Sequence, residues 1–180
     1  MPDEVRLTLE TVVTAPRLVL ALPEHKTALP GGRRESQSDV LALIRSDEHM
    51  IAATIEGKVD EAFGPTLAEW LQEASPGKRT RLEAVCGLLG LSAELDGEVR
   101  YQLLHRTAAA VIESERFAAG AAAMIVHSFS PDARWFSDYV RFTALFGADG
   151  KVDSATRVKL PSGKPLYLAW VAGDQRFRSA

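Results

Sequence analysis

Residues 38–61, SDVLALIRSDEHMIAATIEGKVDE, hold two apolar runs separated by a polar break. Residues 40–45 are mostly aliphatic, residues 46–49 are Ser-Asp-Glu-His, and residues 50–55 are apolar again. Two such runs joined by a few polar residues predict a β-hairpin. The turn lacks the Asn-Gly or Asp-Gly pair of the tightest hairpins. A two-residue loop would pair Ser46 with His49, and a four-residue loop would pair Arg45 with Met50. Both give the same register, which sets Asp39 across from Glu56 with Cβ atoms about 4.5–5.5 Å apart. Lys58 follows Glu56 by two residues and shares its face. A three-residue loop would slip the register and undo the pairing.

Two carboxylates that close repel each other, which costs stability and raises one pKa. A divalent cation between them removes the penalty. Mg²⁺ prefers carboxylate and water oxygens and often takes only one or two protein carboxylates plus a substrate phosphate. A lysine beside the pair can orient a water, hold a phosphate oxygen or stabilise developing charge.

Asp39, followed on the next strand by Glu56-Gly57-Lys58, resembles the signature of the PD-(D/E)XK nuclease superfamily. The resemblance covers about residues 35–130, and the stretches IEGKVDEAFGPTLAEW and RYQLLHRTAAAVIE resemble a bacterial branch related to that superfamily. It implies an α/β fold with a mixed central β-sheet flanked by helices, the restriction-endonuclease-like core. It also implies Mg²⁺-dependent (or Mn²⁺-dependent) hydrolysis of nucleic-acid phosphodiesters, with Asp39 and Glu56 as metal ligands and Lys58 completing the catalytic set. Ser38 stands where the superfamily has proline. Some superfamily members place a glutamine or a basic residue on the helix beside the site, which makes Gln102 and Arg106 candidate lining residues. Some carry another acid on a helix before the first strand, where Glu10 is the candidate. Glu35, four residues before Asp39, and Asp60, favoured over Glu61 by strand parity, are candidates for the outer layer of the site. Glu24-His25-Lys26 and Asp149-Gly150-Lys151 have the same D/E-x-K spacing but no evident partner acid on a paired strand. A non-catalytic partner-binding or regulatory module on the same fold is the alternative to a nuclease.

The length of 180 residues suits one domain spanning residues 1–180 with a sizeable core. A formal charge of −3 argues against a broad, sequence-independent nucleic-acid footprint, but not against a small acidic metal site. A specific nucleic acid, or a homodimer or larger assembly that supplies further contacts, fits that charge. The single cysteine, Cys86, excludes an internal disulfide and fits the reducing cytoplasm. The first residues carry acids and no apolar core of the signal-peptide kind, and no apolar run approaches the length that spans a membrane. No second histidine lies at metal-ligand spacing from His105, and no GxGxxG, Walker A, GxSxG or CxxC pattern appears.

Residues 4–22 fit either a strand or a helix broken near Pro16, with residues 18–22 consistent with a strand. Residues 23–37 read as a loop, since Pro23, Pro30, Gly31 and Gly32 punctuate them. Thr66 and Glu69 form a capping box that opens a helix over residues 66–74. The run Lys78-Arg79-Thr80-Arg81 opens a second helix against its dipole, which suggests a surface turn or an anion contact. A third helix is expected from Asp96 or Gly97 to about Phe117, a buried strand over residues 121–129, an aromatic helix from about residue 130, and a final strand over residues 166–172.

Overall fold

The computed structural model describes residues 1–73 and 75–178. Six strands, β1 (Arg17–Thr27), β2 (Ser36–Arg45), β3 (Met50–Lys58), β4 (Ala121–Ser128), β5 (Ser154–Lys159) and β6 (Pro165–Ala172), form one open sheet in the order β1-β2-β3-β4-β6-β5. The sheet is mixed: β3, β4 and β6 run parallel, while β1–β2, β2–β3 and β5–β6 are antiparallel. The helices are α1 (Asp3–Leu9), α2 (Leu67–Leu71), α3 (Pro76–Leu89), α4 (Tyr101–Arg116) and α5 (Phe136–Ala144). The chain is an α/β protein with a mixed open sheet flanked by helices.

Strand β4 explains the layering. Its Ala-Ala-Ala-Met-Ile-Val run is buried on both faces, as a central parallel strand requires. Met124 and Val126 face one core with Val85 and Leu89 of α3, Leu104 and Ala108 of α4, Tyr139 of α5 and Trp170 of β6. Ala123 and Ile125 face a second core with Val5 and Leu9 of α1, and with Ala42, Ile44, Ile51 and Ala53 of the hairpin. Among the described residues no helix is long and apolar enough to cross a membrane.

The hairpin register is the expected one, running from Arg45↔Met50 to Val40↔Ile55. The Ser46 hydroxyl accepts from the Glu48 and His49 N–H groups at 3.2 and 3.1 Å, which does the work an Asn-Gly pair would do. The ambiguous N-terminal region resolves into helix α1 and then strand β1. That strand continues through Pro23 to Thr27, so much of the expected 23–37 loop is sheet. Strand β1 lies at the sheet edge, where a residue without an N–H costs no ladder bond on the open side.

Helix α2 carries the expected capping box; Ala74, the end of the predicted helix, lies outside the described residues. Helix α3 starts at Pro76 rather than after it. The Ser75 side chain accepts from Lys78 N–H, and proline is well suited to the first helical turn. Helix α4 starts at Tyr101, later than expected, because residues 96–100 serve α2 instead. Val99 O accepts from Leu67 N–H at 2.7 Å and Gly97 O from Ala68 N–H at 2.9 Å, satisfying donors at the start of α2. Helix α5 starts only at Phe136. Trp135 sits before it in the left-handed region, held by its indole N–H donating to Asp60 O at 3.1 Å.

Candidate functional site

Helix α4 is the last helix of the crossover, α2-α3-α4, between the parallel strands β3 and β4, and it packs on β3 and β4. Glu56 projects beneath it and is 4% exposed. Its Oε1 accepts from Lys58 Nζ at 3.1 Å and from Gln102 Nε2, and its Oε2 accepts from Arg106 Nε at 2.6 Å. Gln102 and Arg106 are one helical turn apart, so α4 presents both to the same carboxylate. Thr54, two residues before Glu56 on β3, donates its hydroxyl to Arg106 O at 3.0 Å and ties the helix down. Lys58 is 5% exposed, lies 5.3 Å from the centre of the Phe63 ring, and keeps its Nζ 3.8 Å from Glu61 Oε1.

Asp39 meets this cluster from β2. The β2–β3 ladder reaches Val40↔Ile55, and just beyond it Gly57 N–H donates to Asp39 Oδ2 at 2.7 Å. The carboxylate therefore stands in for a backbone acceptor. A Cβ at position 57 would lie 3.4 Å from the same oxygen, in ordinary contact. On the other side of β2, the β1 register passes from Pro23↔Val40 to His25↔Ser38, and Glu24 between them has φ 51. Asp39 thus lies just past the end of the β2–β3 ladder and opposite Glu24, whose φ is positive, while the β1–β2 register is the same on either side of it. Burial, and next the charge of Glu56, hold the Asp39 carboxyl above its ordinary range; Gly57, Arg106 and Lys58 oppose the shift.

A hydrogen-bonded chain continues outward. Arg106 Nη1 donates to Ser36 Oγ at 3.0 Å, and Ser36 Oγ lies 2.9 Å from His105 Nδ1. Burial, and then the charges of Arg106 and Arg81, lower the His105 pKa to about 3. His105 packs against Tyr101, which stacks on Trp70 at 3.9 Å between ring centres.

The structure thus brings together Asp39, Glu56, Lys58, Gln102 and Arg106. It does not bring in Glu35, which is exposed in the loop before β2. Nor does it bring in Asp60, whose carboxylate lies 2.8 Å from Arg178 Nη2 and 3.6 Å from Arg134 Nη1. Strand β3 ends at Lys58, so strand parity does not extend to residue 60, and Glu61 approaches Lys58 instead. Glu10 pairs with Arg6 at 2.8 Å at the end of α1, a helix that packs on β5 and β6. Ser36 and Phe63 were not legible as site residues. A serine at a strand start and a phenylalanine after it carry no motif, and only the packing of α4 and of residues 59–65 brings them in.

Among the described residues no group of three or more His, Cys, Asp or Glu side chains is placed to hold a metal ion. The oxygen donors on offer are fewer: the two carboxylates and Gln102 Oε1, which is buried with no hydrogen-bond partner. Such an orphaned acceptor fits a hard cation, or a water bound to one. Mg²⁺ in particular retains several waters and needs few protein oxygens.

A family model described as "Domain of unknown function (DUF6946)" matches residues 1–175. The chain belongs to the DUF6946 family. Neither curated proteins nor solved structures match this DUF6946 chain. The chemistry of its site therefore rests on the side chains themselves.

Proposed function

We propose that this DUF6946 protein has a restriction-endonuclease-like core of the PD-(D/E)XK kind and hydrolyses nucleic-acid phosphodiester bonds with Mg²⁺ or Mn²⁺. The observation that carries the reading is the convergence of Asp39, from β2, on Gly57, between Glu56 and Lys58 of β3. Gln102, from the crossover helix, supports it by leaving a buried oxygen without a donor. Asp39, Glu56 and Gln102 Oε1 would hold the cation, which supplies Lewis-acid polarisation of the phosphoryl group and a more acidic bound water. Lys58, enclosed beside Phe63, holds its Nζ 3.1 Å from Glu56 Oε1, where it would position a water or a phosphoryl oxygen. Arg106 fixes the Glu56 carboxylate and links it to Ser36. The buried, free Cys86 is consistent with work in a reducing cytoplasm.

A second reading has its own observation: both oxygens of Glu56 are already occupied by Lys58, Gln102 and Arg106. An acid neutralised from within the protein suits a partner-binding or regulatory module on the same fold. Calorimetry with Mg²⁺ and Mn²⁺, with and without an oligonucleotide, separates the two. Under the first reading the native chain binds metal, Asp39→Ala and Glu56→Ala do not, and a nuclease screen on DNA and RNA gives activity that Lys58→Ala abolishes. Absence of metal binding in both conditions, together with an unchanged oligonucleotide, would overturn the nuclease reading in favour of the second.

A further inference from the structure

A second polar feature lies outside the Asp39–Glu56 cluster. The loop before β2 folds against the start of α3 and borders an open cavity of about 410 Å³. Four of its lining side chains are cationic: Arg33 and Arg34 from the loop, and Lys78 and Arg81 from the helix. Among the described residues none of the four makes an ion pair with a carboxylate. Gly77, in the first turn of the fourteen-residue helix α3, also lines the cavity; Pro76 has no N–H and Ser75 caps those of Lys78 and Arg79, so Gly77 supplies the one backbone N–H of that turn with no acceptor among the described residues, at the helix end where the dipole favours an anion.

Arg81 gives the observation that points to a ligand. It is 8% exposed, and its Nη2 is buried with no hydrogen-bond partner. Its Nε donates to Pro30 O at 3.3 Å, which holds the guanidinium under the loop. The loop is built around it: Gly31 has φ +80, and a Cβ there would lie 2.5 Å from Arg81 N. Only glycine lets the backbone approach α3 so closely. Lys78 Nζ donates to Trp70 O at 2.7 Å and lies 5.4 Å from the centre of the Trp70 ring, so it is held at the cavity by neutral groups. A buried guanidinium with an unmet donor, in a cavity with three further cations, leaves positive charge that no carboxylate among the described residues balances.

We infer that the cavity formed by Gly31, Arg33, Arg34, Gly77, Lys78 and Arg81 binds a phosphate group. Planar guanidinium donors, the Gly77 N–H and a lysine side chain together suit the tetrahedral, multiply charged oxygens of phosphate better than a single carboxylate. The phosphate comes either from a nucleic-acid backbone, since Arg33 and Arg34 lead into the strand that carries Asp39, or from a free phosphate or phosphomonoester. This inference does not depend on metal binding at Asp39 and Glu56.

The test uses the full-length ¹⁵N-labelled chain in EDTA, so that metal plays no part. Inorganic phosphate and an oligothymidylate without terminal phosphates are titrated separately, following the Gly32 and Gly77 amide resonances. Saturable shifts at both glycines with either probe are expected. Binding should weaken about tenfold or more in the combined Arg33→Ala, Arg34→Ala, Lys78→Ala variant, as loss of hydrogen bonds to a charged group requires. Arg79→Ala, on the same helix but outside the cavity, should bind like the parent. If the oligonucleotide displaces inorganic phosphate, the source is a nucleic-acid backbone; if only inorganic phosphate binds, it is a free phosphate or monoester. The inference is overturned if neither probe shifts the two glycines, or if Arg79→Ala weakens binding as much as the combined variant.

Discussion

Replacing Glu56 by Gln tests the central cluster most directly. The substitution keeps shape and volume but removes the charge that Lys58 and Arg106 share. Both cations are enclosed: the Lys58 side chain is 6% exposed and that of Arg106 11%. Removing one partner of a buried, hydrogen-bonded ion pair costs about 3–5 kcal/mol, because the charge left behind stays desolvated. The new amide also points a donor at groups that are themselves donors. Asp39 offsets part of this, being a nearby acid, but Gly57 N–H holds one of its oxygens. The lower end of the range, about 3 kcal/mol, is therefore expected. For a chain of this size that corresponds to a fall in Tm of about 6–12 °C. Urea unfolding at pH 7, followed by tryptophan fluorescence and circular dichroism, gives the free energy, and calorimetry gives Tm. Glu61→Gln is the control, since its side chain is 56% exposed 3.8 Å from Lys58; it should stay within about 0.5 kcal/mol of the parent. A loss below about 1 kcal/mol for Glu56→Gln would refute the reasoning, because it would mean that water already solvates the cluster.

Three further outcomes follow from the buried titratable groups. Burial, and then Glu56, raise the Asp39 pKa, so the native state takes up that proton at higher pH than the unfolded chain, and stability falls as pH rises between the two values. Asp39→Asn should therefore be more stable than the parent at neutral pH without metal, with the advantage vanishing below the ordinary Asp range; urea midpoints from pH 3 to 8 check this. His105 has the opposite sign: its pKa is lowered to about 3, so the unfolded chain binds the proton first and stability is lost as pH falls from about 6.5 towards 3. Its ring resonances should not titrate between pH 7 and 4.5, and a normal titration would remove it from the Ser36–Arg106 chain. Burial pushes the Cys86 thiol up to about 11, so an aromatic disulfide reagent at pH 8 should leave it unmodified until urea unfolds the chain.

The hairpin was legible because its information is local: apolar runs, a polar turn, and a register on which two different loop lengths agree. The same held for the Thr66–Glu69 capping box and for strand β4, each written in a few consecutive residues. What the sequence hid was non-local. Strand β1 runs through Pro23 because it is the edge strand, a fact of sheet order rather than of residues 17–27. Residues 96–100 leave the helical pattern because their carbonyls serve the start of α2, about thirty residues earlier in the chain. In the site, Glu56 and Lys58 were readable from strand parity, and Gln102 and Arg106 only through the family resemblance. Asp60 failed because parity was carried past the end of β3. The uncompensated charge around Arg81 appeared in the sequence as a basic run at a helix start, with nothing to show that the Gly31–Gly32 loop would close over it.

Arg106 determines what Glu56 is available for, and with it how a metal would bind. The cluster holds two acids, Asp39 and Glu56, and two cations, Lys58 and Arg106, so it is already balanced. A divalent ion beside Glu56 adds positive charge next to the Arg106 guanidinium, 2.6 Å from that carboxylate. Two like unit charges 4 Å apart repel by about 4 kcal/mol at the effective dielectric of partly buried sites, and twice that for a divalent ion. A phosphodiester brings compensating negative charge to the same place. Under the proposed catalysis, metal and nucleic acid therefore bind cooperatively: each strengthens the other by the same factor, as linkage requires. The expected result is weak Mg²⁺ binding to the free chain and markedly tighter binding with oligonucleotide present. Replacing Arg106 by Gln should raise metal affinity in the free chain while lowering folding stability, because Glu56 then loses its closest cation. If Arg106→Gln leaves metal binding equally weak with and without oligonucleotide, charge competition is not what limits the site. Glu56 is then a structural acid holding α4 to β3.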